Sequence, residues 1–416
     1  MKRRVLILSG TQLSVNPRVV KEANALTEAG HSVEVAGGLF DSSLAERERS
    51  IHENRPWGYK RLVDASSHVS SDRVKWFWLR ARRRLSREAY ARLKIESSRQ
   101  LGYLAPEMLA YALERDADLT IVHNAAALWV GTQLIRRGKR VAVDMEDWYS
   151  EDLTPEEKKH FPVDAQKVYE AEALRGAVFS ATTSRCLSDA LAQAYECEAP
   201  AVVYNAFPWN DRDTIDGVNR DRVDATIPSI CWFSQVIGPR RGLELLMDAL
   251  HMVDVRGEVH LRGSVNQSFK REMLARAPES WRGRIYFHAQ VPHEELLSRV
   301  AEHDIGLASD IPHTRSRALT ITNKLLLYLL AGVPVAASDT DGQREAAALA
   351  GEAVCLYSGT NAAECASVLS NLLSEPALRA RARDRALEAA RSIFSWERSA
   401  AVVVSGVERA LLARVG

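Results

Sequence analysis

The sequence predicts two doubly wound α/β domains. Short apolar runs ending at small or polar residues alternate with stretches of helical period, the pattern of strands joined by crossover helices. The alternation runs twice, restarting near Ile227 after a polar interval. The length, 416 residues, exceeds what one ordinary core accommodates.

The first strand is 5–8, a continuous apolar run ending at Ser9-Gly10, as a strand buried on both faces ends. Asn16-Pro17 supplies an N-cap and a proline at the first helical position. Val19, Val20, Ala23, Leu26 and Ala29 follow at helical spacing, and Gly30 closes the helix. A second strand at 31–36 completes one βαβ unit. The pattern resumes with strand 119–123, helix 127–134, strand 140–144, helix 155–174, strand 178–182, helix 184–195 and strand 201–204. The polar stretch 205–226 reads as a linker. The second series runs strand 230–233, helix 242–252, strand 258–262, a helix around 269–277, strand 285–288, helix 294–302 and strand 305–308. Residues 322–345 (TNKLLLYLLAGVPVAASDTDGQRE) then read as a helix, a glycine stop at Gly332, a buried strand and a polar turn. Helices at 362–373, 376–393 and 396–412 end the chain.

Apolar residues make up 46% and charged residues 26%, a globular balance, and the formal charge of +1 gives nucleic-acid binding no support. The five cysteines (Cys186, Cys197, Cys231, Cys355, Cys365) are odd in number, and no two have the close spacing of a metal knuckle. A reducing, cytoplasmic location is expected. The opening MKRRVLILSG is too short in apolar residues for a leader, which needs about 7–15. The longest apolar run, 325–331, falls well short of the roughly 20 residues of a membrane span.

Residues 73–94 (RVKWFWLRARRRLSREAYARLK) hold nine Lys/Arg against one Glu, with Trp76, Phe77, Trp78, Leu79 and Tyr90 interleaved. Two readings stand side by side. One is a solvated helix with a core-facing aromatic edge. The other is a basic amphipathic helix in peripheral contact with a membrane, or with an anionic or lipid acceptor.

Searches for HExxH, G-x-S-x-G, Walker A and G-x-G-x-x-G find no match. Gly131 to Arg140 (GTQLIRRGKR) approaches a P-loop, but its spacing is wrong and it lies at a helix end before a strand. Asp116/Asp118 and Asp339/Asp341 are spacings that arise by chance, so no metal site and no cofactor are expected.

Five segments are more specific. They are 16–31 (NPRVVKEANALTEAGH), Asp144-Met-Glu-Asp147, 233–243 (FSQVIGPRRGL), the 322–345 stretch, and Phe394-Ser-Trp396-Glu397. In this order they resemble the GT-B glycosyltransferases, family 4 in particular, across nearly the whole chain. The resemblance implies α/β architecture of the GT-B type: two Rossmann-like doubly wound domains facing across a cleft, with the last helix crossing back to the first domain. The implied division is 1–205 with a returning helix 395–416 on the acceptor side, and 206–394 for the donor. It implies a retaining, metal-independent transfer from a nucleotide-sugar donor to a carbohydrate, lipid-linked or metabolite acceptor. The reaction would take place in the cytoplasm or peripherally at the inner face of the membrane.

Residue by residue, the resemblance makes Arg241 a holder of diphosphate oxygen beside Gly242, where glycine allows close backbone approach. Lys324 lies in the first turn of its helix after Thr322 and Asn323, where a cation opposes the helix dipole unless an anion binds. Glu345 closes the segment. Gly10 and Thr11 offer amides after the first strand. His123, Glu146 and Asp147 sit at the ends of consecutive parallel strands, where α/β ligands bind, and are the candidates for contacting sugar or acceptor. The chain also departs from the family. Leu319 and Leu327 stand where paired glutamates are usual, the second of which grips the donor's ribose. Glu146 replaces a histidine, and Val236 an arginine. Donor binding is therefore expected to be reorganised or weakened rather than the chemistry lost, since same-face transfer rests on positioning and charge stabilisation. A sugar-nucleotide epimerase and a non-catalytic scaffold are the rival classes.

Overall fold

The structure, a computed structural model, describes residues 2–53, 55–222 and 224–413. It divides into two compact units. The first holds the residues through Val203, with Thr314–Arg317 and those from Ala400 onward; the second holds Tyr204–His313 and Ala318–Ser399.

The first unit is built on β1 (Arg4–Ser9), β2 (Ser32–Leu39), β3 (Gly58–Asp64), β4 (Leu119–His123), β5 (Val141–Met145), β6 (Phe179–Thr182) and β7 (Ala201–Val202). Among the described residues these form one parallel sheet in the order β3-β2-β1-β4-β5-β6-β7. The sequence order reverses between β1 and β4, so the connections leaving these neighbours diverge and open a crevice at their carboxyl ends. Ser9 pairs with His123 there. Helix Pro17–Glu28 starts as its sequence suggests: Asn16 caps it, accepting from the Val19 amide, and proline stands at the first position.

The second unit uses β8 (Ser229–Ile237), β9 (Glu258–Val265), β10 (Ile285–His288), β11 (Ile305–Ala308), β12 (Val335–Ser338) and β13 (Val354–Tyr357) in the parallel order β10-β9-β8-β11-β12-β13. Its switch point lies between β8 and β11. Alternate strand residues feed two cores: Ile230, Trp232, Ile305, Leu307 and Ala336 on one side, Cys231, Ala308, Val335 and Ala337 on the other. Both faces are covered by helices, which is why β11 and β12 and the start of β8 read as apolar runs, while β9 alternates Glu258, His260 and Arg262 with Val259 and Leu261.

Several elements differ from expectation, among them helices Ala45–His52 and Ala105–Arg115, which were not expected. The helix expected over 155–174 is two, Pro155–Lys158 and Val163–Gly176, because Pro162 cannot continue the first. Strand β3 was not expected, since its Lys60 and Arg61 break the apolar pattern at a sheet edge. The stretch 205–226 is no free linker. The Trp396 amide bonds the Phe207 carbonyl at 2.9 Å, Arg222 pairs with Asp304 at 2.9 Å and Asp216 with Arg299 at 2.5 Å, which straps it to the second unit.

A histidine stack lies across β9 and β10. The rings of His260 and His288 are parallel with centroids 5.2 Å apart, and His303 tilts against His260 at 4.7 Å. Glu258, Tyr286, Asp221, Arg222, Arg262, Glu302 and Ser229 surround them. Burial first, then the neighbouring histidine, pushes His260 down to about 3, and burial also lowers His288 and His303. These rings are neutral in the folded state but take up protons below about 6.5 when unfolded. Stability therefore falls as pH drops below that value, at most by about 1.4 kcal/mol per pH unit for His260, with His288 and His303 acting in the same direction. The raised carboxyls of Glu258 and Glu302 oppose part of the loss. Hydrogen exchange in β9 and β10, corrected for intrinsic rate, should be less protected at pH 5 than at pH 7, and the difference should shrink in His260→Asn.

Candidate functional site

In the first unit the crevice between β1 and β4 is closed by hydrogen bonds. The Gly10 amide donates to Asn124 Oδ1 at 2.8 Å, and Asn124 Nδ2 donates to Thr11 Oγ1 at 3.3 Å. A Cβ on Gly10 would lie 2.4 Å from that same Oδ1, so a larger residue would displace the Asn124 side chain. Asn124 holds a left-handed backbone, φ +64, which asparagine tolerates better than most residues, and its amide donates to the Tyr149 hydroxyl at 2.9 Å. The Thr11 amide is turned to Ser9 Oγ at 3.4 Å. Both amides expected to face a ligand thus have partners within the unit.

Behind this edge lies a buried charge cluster. His123 is fully buried, with Nδ1 2.7 Å from Glu146 and Nε2 3.0 Å from Glu22. Arg18 reaches Asp144 at 2.5 Å, Glu22 at 3.7 Å and the Val203 carbonyl at 2.7 Å. Asn16 Nδ2 holds Glu146 at 2.7 Å. Burial works against the charge on His123, but Glu22 and the Glu146 hydrogen bond outweigh it and raise its pKa well above the ordinary value. Burial raises Asp144 too, yet Arg18 outweighs it and holds that carboxyl down to about 2. Glu22 goes to about 7, through burial first and the charge of Asp144, against the pull of His123. Glu22, His123 and Asp144 each place a ligand atom within 4.8 Å of the others. Arg18 already supplies the positive charge a metal ion would bring, and both nitrogens of His123 are engaged.

Asp147 projects from the turn after β5. Burial, then the charges of Asp152 and Glu146, push its carboxyl up to about 7. Segment Thr314–Arg317 packs beside this turn: Ser316 Oγ accepts from the Trp148 amide at 3.0 Å, Arg315 stacks over the Trp148 ring at 4.5 Å, and Arg317 lies 3.3 Å from Asp152. A titrating carboxyl among arginines at a strand end is the electrostatic pattern of a functional site. Arg315 and Arg317 were missed in the sequence because they stand far along the chain from Asp147. Arg18, Glu22 and Asn16 were visible inside the 16–31 motif, but their ring of partners comes from β4 and β5.

In the second unit the crevice between β8 and β11 gathers three of the expected donor residues, Arg241, Gly242 and Lys324. Gly242 has φ +76, and a Cβ there would fall 2.2 Å from the Ser309 carbonyl oxygen, so only glycine lets the loop after β8 sit against the end of β11. Ser309 Oγ in turn donates to the Arg241 carbonyl at 2.7 Å. Arg241 is exposed, its guanidinium held by Ser234 Oγ at 3.2 Å. Lys324 lies 3.1 Å from Asp310 and 5.6 Å above the Trp232 ring. Asp310, one residue beyond Ser309, is the balancing anion that the sequence reading did not supply.

Thr322 occupies the N-cap of helix Asn323–Ala331 without a side-chain capping bond. Asn323 accepts from Asn205 at 3.1 Å, and Glu345 accepts from the Tyr204 hydroxyl at 2.9 Å. These contacts tie both residues to the strap rather than to Arg241. Leu327 and Leu319 are 5% and 9% exposed. Leu327 belongs to the core that contains Leu325, Leu329 and Phe394, so a carboxylate there would be buried in apolar surroundings.

Residues 240–405 match a family described as glycosyl transferase-like. Among solved structures, a sucrose-phosphate synthase of Thermosynechococcus elongatus aligns with TM-score 0.71 at 16% identity, over 99% of both chains. A glycosyltransferase of Rickettsia africae gives 0.68 at 12%, over 99% of both. HepE of Anabaena, crystallised with UDP-glucose, gives 0.65 at 18%, over 98% of this chain and 99% of that one. Comparison with curated proteins finds no match. The fold is GT-B: two Rossmann-like α/β units with parallel sheets.

Proposed function

We propose that this chain is a retaining glycosyltransferase that moves a sugar from a nucleotide diphosphate to a carbohydrate, lipid-linked or metabolite acceptor in the cytoplasm. The observation that carries the reading is the convergence of Arg241, Gly242, Ser309 and Lys324 at the switch point of the second sheet. Two cations there flank a backbone stripped of side chain, the arrangement a diphosphate needs. The match over 240–405 covers all of them.

In this reading the bond from the anomeric carbon to the diphosphate oxygen breaks while the acceptor oxygen bonds that carbon on the same face. The acceptor's proton goes to the departing diphosphate. Arg241 and Lys324 neutralise the developing charge without a metal ion, with Lys324 exchanging Asp310 for phosphate. Thr322 and Asn323, at the start of one helix, and Glu345, one turn into the next, frame the donor. Gly10 and Thr11 lie at the mouth of the first unit's crevice, where Asp147 and Glu146 orient sugar and acceptor, and the buried His123 acts only by positioning Glu146 from 2.7 Å behind it. The chemistry is of positioning and charge, and paired glycosidase carboxylates are not required.

Calorimetry against a panel of nucleoside diphosphates tests this, beginning with uridine diphosphate, the nucleotide of the HepE complex. One nucleotide should bind, and its sugar conjugate should release it faster when a crude acceptor extract is added. Binding to none of the panel overturns the reading. The buried Leu327 favours a second one, a scaffold that has given up the donor, and that result would support it. An isomerised nucleotide sugar formed without acceptor would point to an epimerase.

A further inference from the structure

Helix Ser70–Leu93 is anchored to the first unit along one face. Leu79 is buried, Trp76 packs edge-on to Tyr103 with centroids 4.9 Å apart, Arg82 pairs with Glu107 at 2.5 Å, and Gln100 donates to the Ser86 carbonyl at 2.8 Å. A helix held this way normally turns polar residues outward. Here the outward face is apolar: Phe77 and Trp78 lie three and four residues after Val74, and Leu85 seven after Trp78, and the four are 65%, 58%, 55% and 69% exposed in the order Phe77, Trp78, Val74, Leu85. Arg73, Arg80 and Arg84, spaced seven and four apart, form an exposed row along one flank, with Lys75 on the other. The nearby acids are engaged: Glu88 faces Arg92 at 3.6 Å, Asp72 accepts from the Ser67 hydroxyl at 2.7 Å, and Asp64 pairs with Arg61 at 2.5 Å. Beside the helix start, Ser66, Ser67 and His68 with Arg73, Phe77 and Arg80 line a cavity of about 660 Å³.

We propose that this face docks the protein on an anionic lipid surface, with Phe77, Trp78 and Leu85 entering the headgroup boundary and the arginine row meeting lipid phosphate. Aromatic rings between an apolar and a wet phase, with basic residues beside them, are the chemistry of an interfacial helix. Charge complementarity selects lipid over a second copy of the chain. The helix carries eight basic residues and two acidic ones, and a symmetric dimer would set that row against itself. Each basic residue near an anionic surface is worth about a fivefold gain in binding. The inference does not depend on the sugar-transfer reading.

Flotation of the full chain with vesicles tests it, comparing phosphatidylcholine alone with vesicles in which about a third of the lipid is phosphatidylglycerol. Binding to the anionic vesicles should be at least about tenfold tighter and should weaken as salt rises. Phe77→Ser with Trp78→Ser should lower it by about tenfold or more. Arg73→Glu with Arg80→Glu and Arg84→Glu should abolish the preference for anionic lipid. All five side chains are exposed, so circular dichroism and the unfolding midpoint should not change. Failure to float with either vesicle, equal binding to both, or self-association that disappears in the Phe77/Trp78 variant without vesicle binding would overturn the proposal.

Discussion

Replacing Arg18 with methionine should destabilise the first unit by about 3–5 kcal/mol, the usual cost of removing one partner from a buried ion pair. Methionine fills most of the arginine's volume but leaves Asp144 and Glu22 facing each other inside the protein. The sign with pH follows from Asp144. Its folded value of about 2 lies below the ordinary one, so in the wild type it adds stability above about pH 4 that is lost as pH falls toward 2. Without Arg18 the buried carboxyl prefers its proton, and that contribution reverses. The gap between wild type and Arg18→Met should therefore be widest near pH 7 and narrower near pH 4.5. Urea unfolding at the two values measures it. A gap that is constant with pH would mean that lost packing, not uncompensated charge, is the cost.

Replacing Arg241 with alanine should weaken nucleoside diphosphate binding by about 10- to 100-fold, the worth of one charge-assisted hydrogen bond at about 1.5–3 kcal/mol. The matching nucleoside, which has no phosphate, should bind within about twofold of its wild-type affinity on the same argument. Arg241 is exposed, and its guanidinium is held by Ser234 Oγ at 3.2 Å, so the fold should survive the change. Equal losses for nucleotide and nucleoside in calorimetry would remove the phosphate role from Arg241 and place the defect in the loop itself.

Local signals in the chain were enough for much of the architecture. Asn16-Pro17 and Gly332 each mark a helix end through backbone chemistry that needs no distant partner, and both stand where they were expected. The apolar runs of β1 and β4 mark buried strands for the same reason. What local reading missed depends on residues that meet only after folding. Lys324 looked like a cation awaiting an anion, but Asp310 arrives from the end of β11 to balance it. Gly10 looked like an open amide, but Asn124 arrives from the neighbouring strand to occupy it. Leu327 looked like a missing carboxylate, and its side chain is part of a core assembled from several helices. Strand β3 was hidden because an edge strand need bury only part of itself, so charged residues interrupt its pattern.

The division of the chain has a topological consequence. The first unit is assembled from three separate stretches and the second from two, with changes of unit after Val203, His313, Arg317 and Ser399. The gene therefore cannot be halved into two self-sufficient pieces. A polypeptide ending at Val203 would lack the returning residues from Ala400 onward, including the Ala413 carbonyl that accepts from Arg140 at 3.2 Å. A single proteolytic nick near Tyr204 would leave the chain passing between the units at three other places. Folding of the first unit can be completed only after the residues from Ala400 onward have been made, long after its sheet.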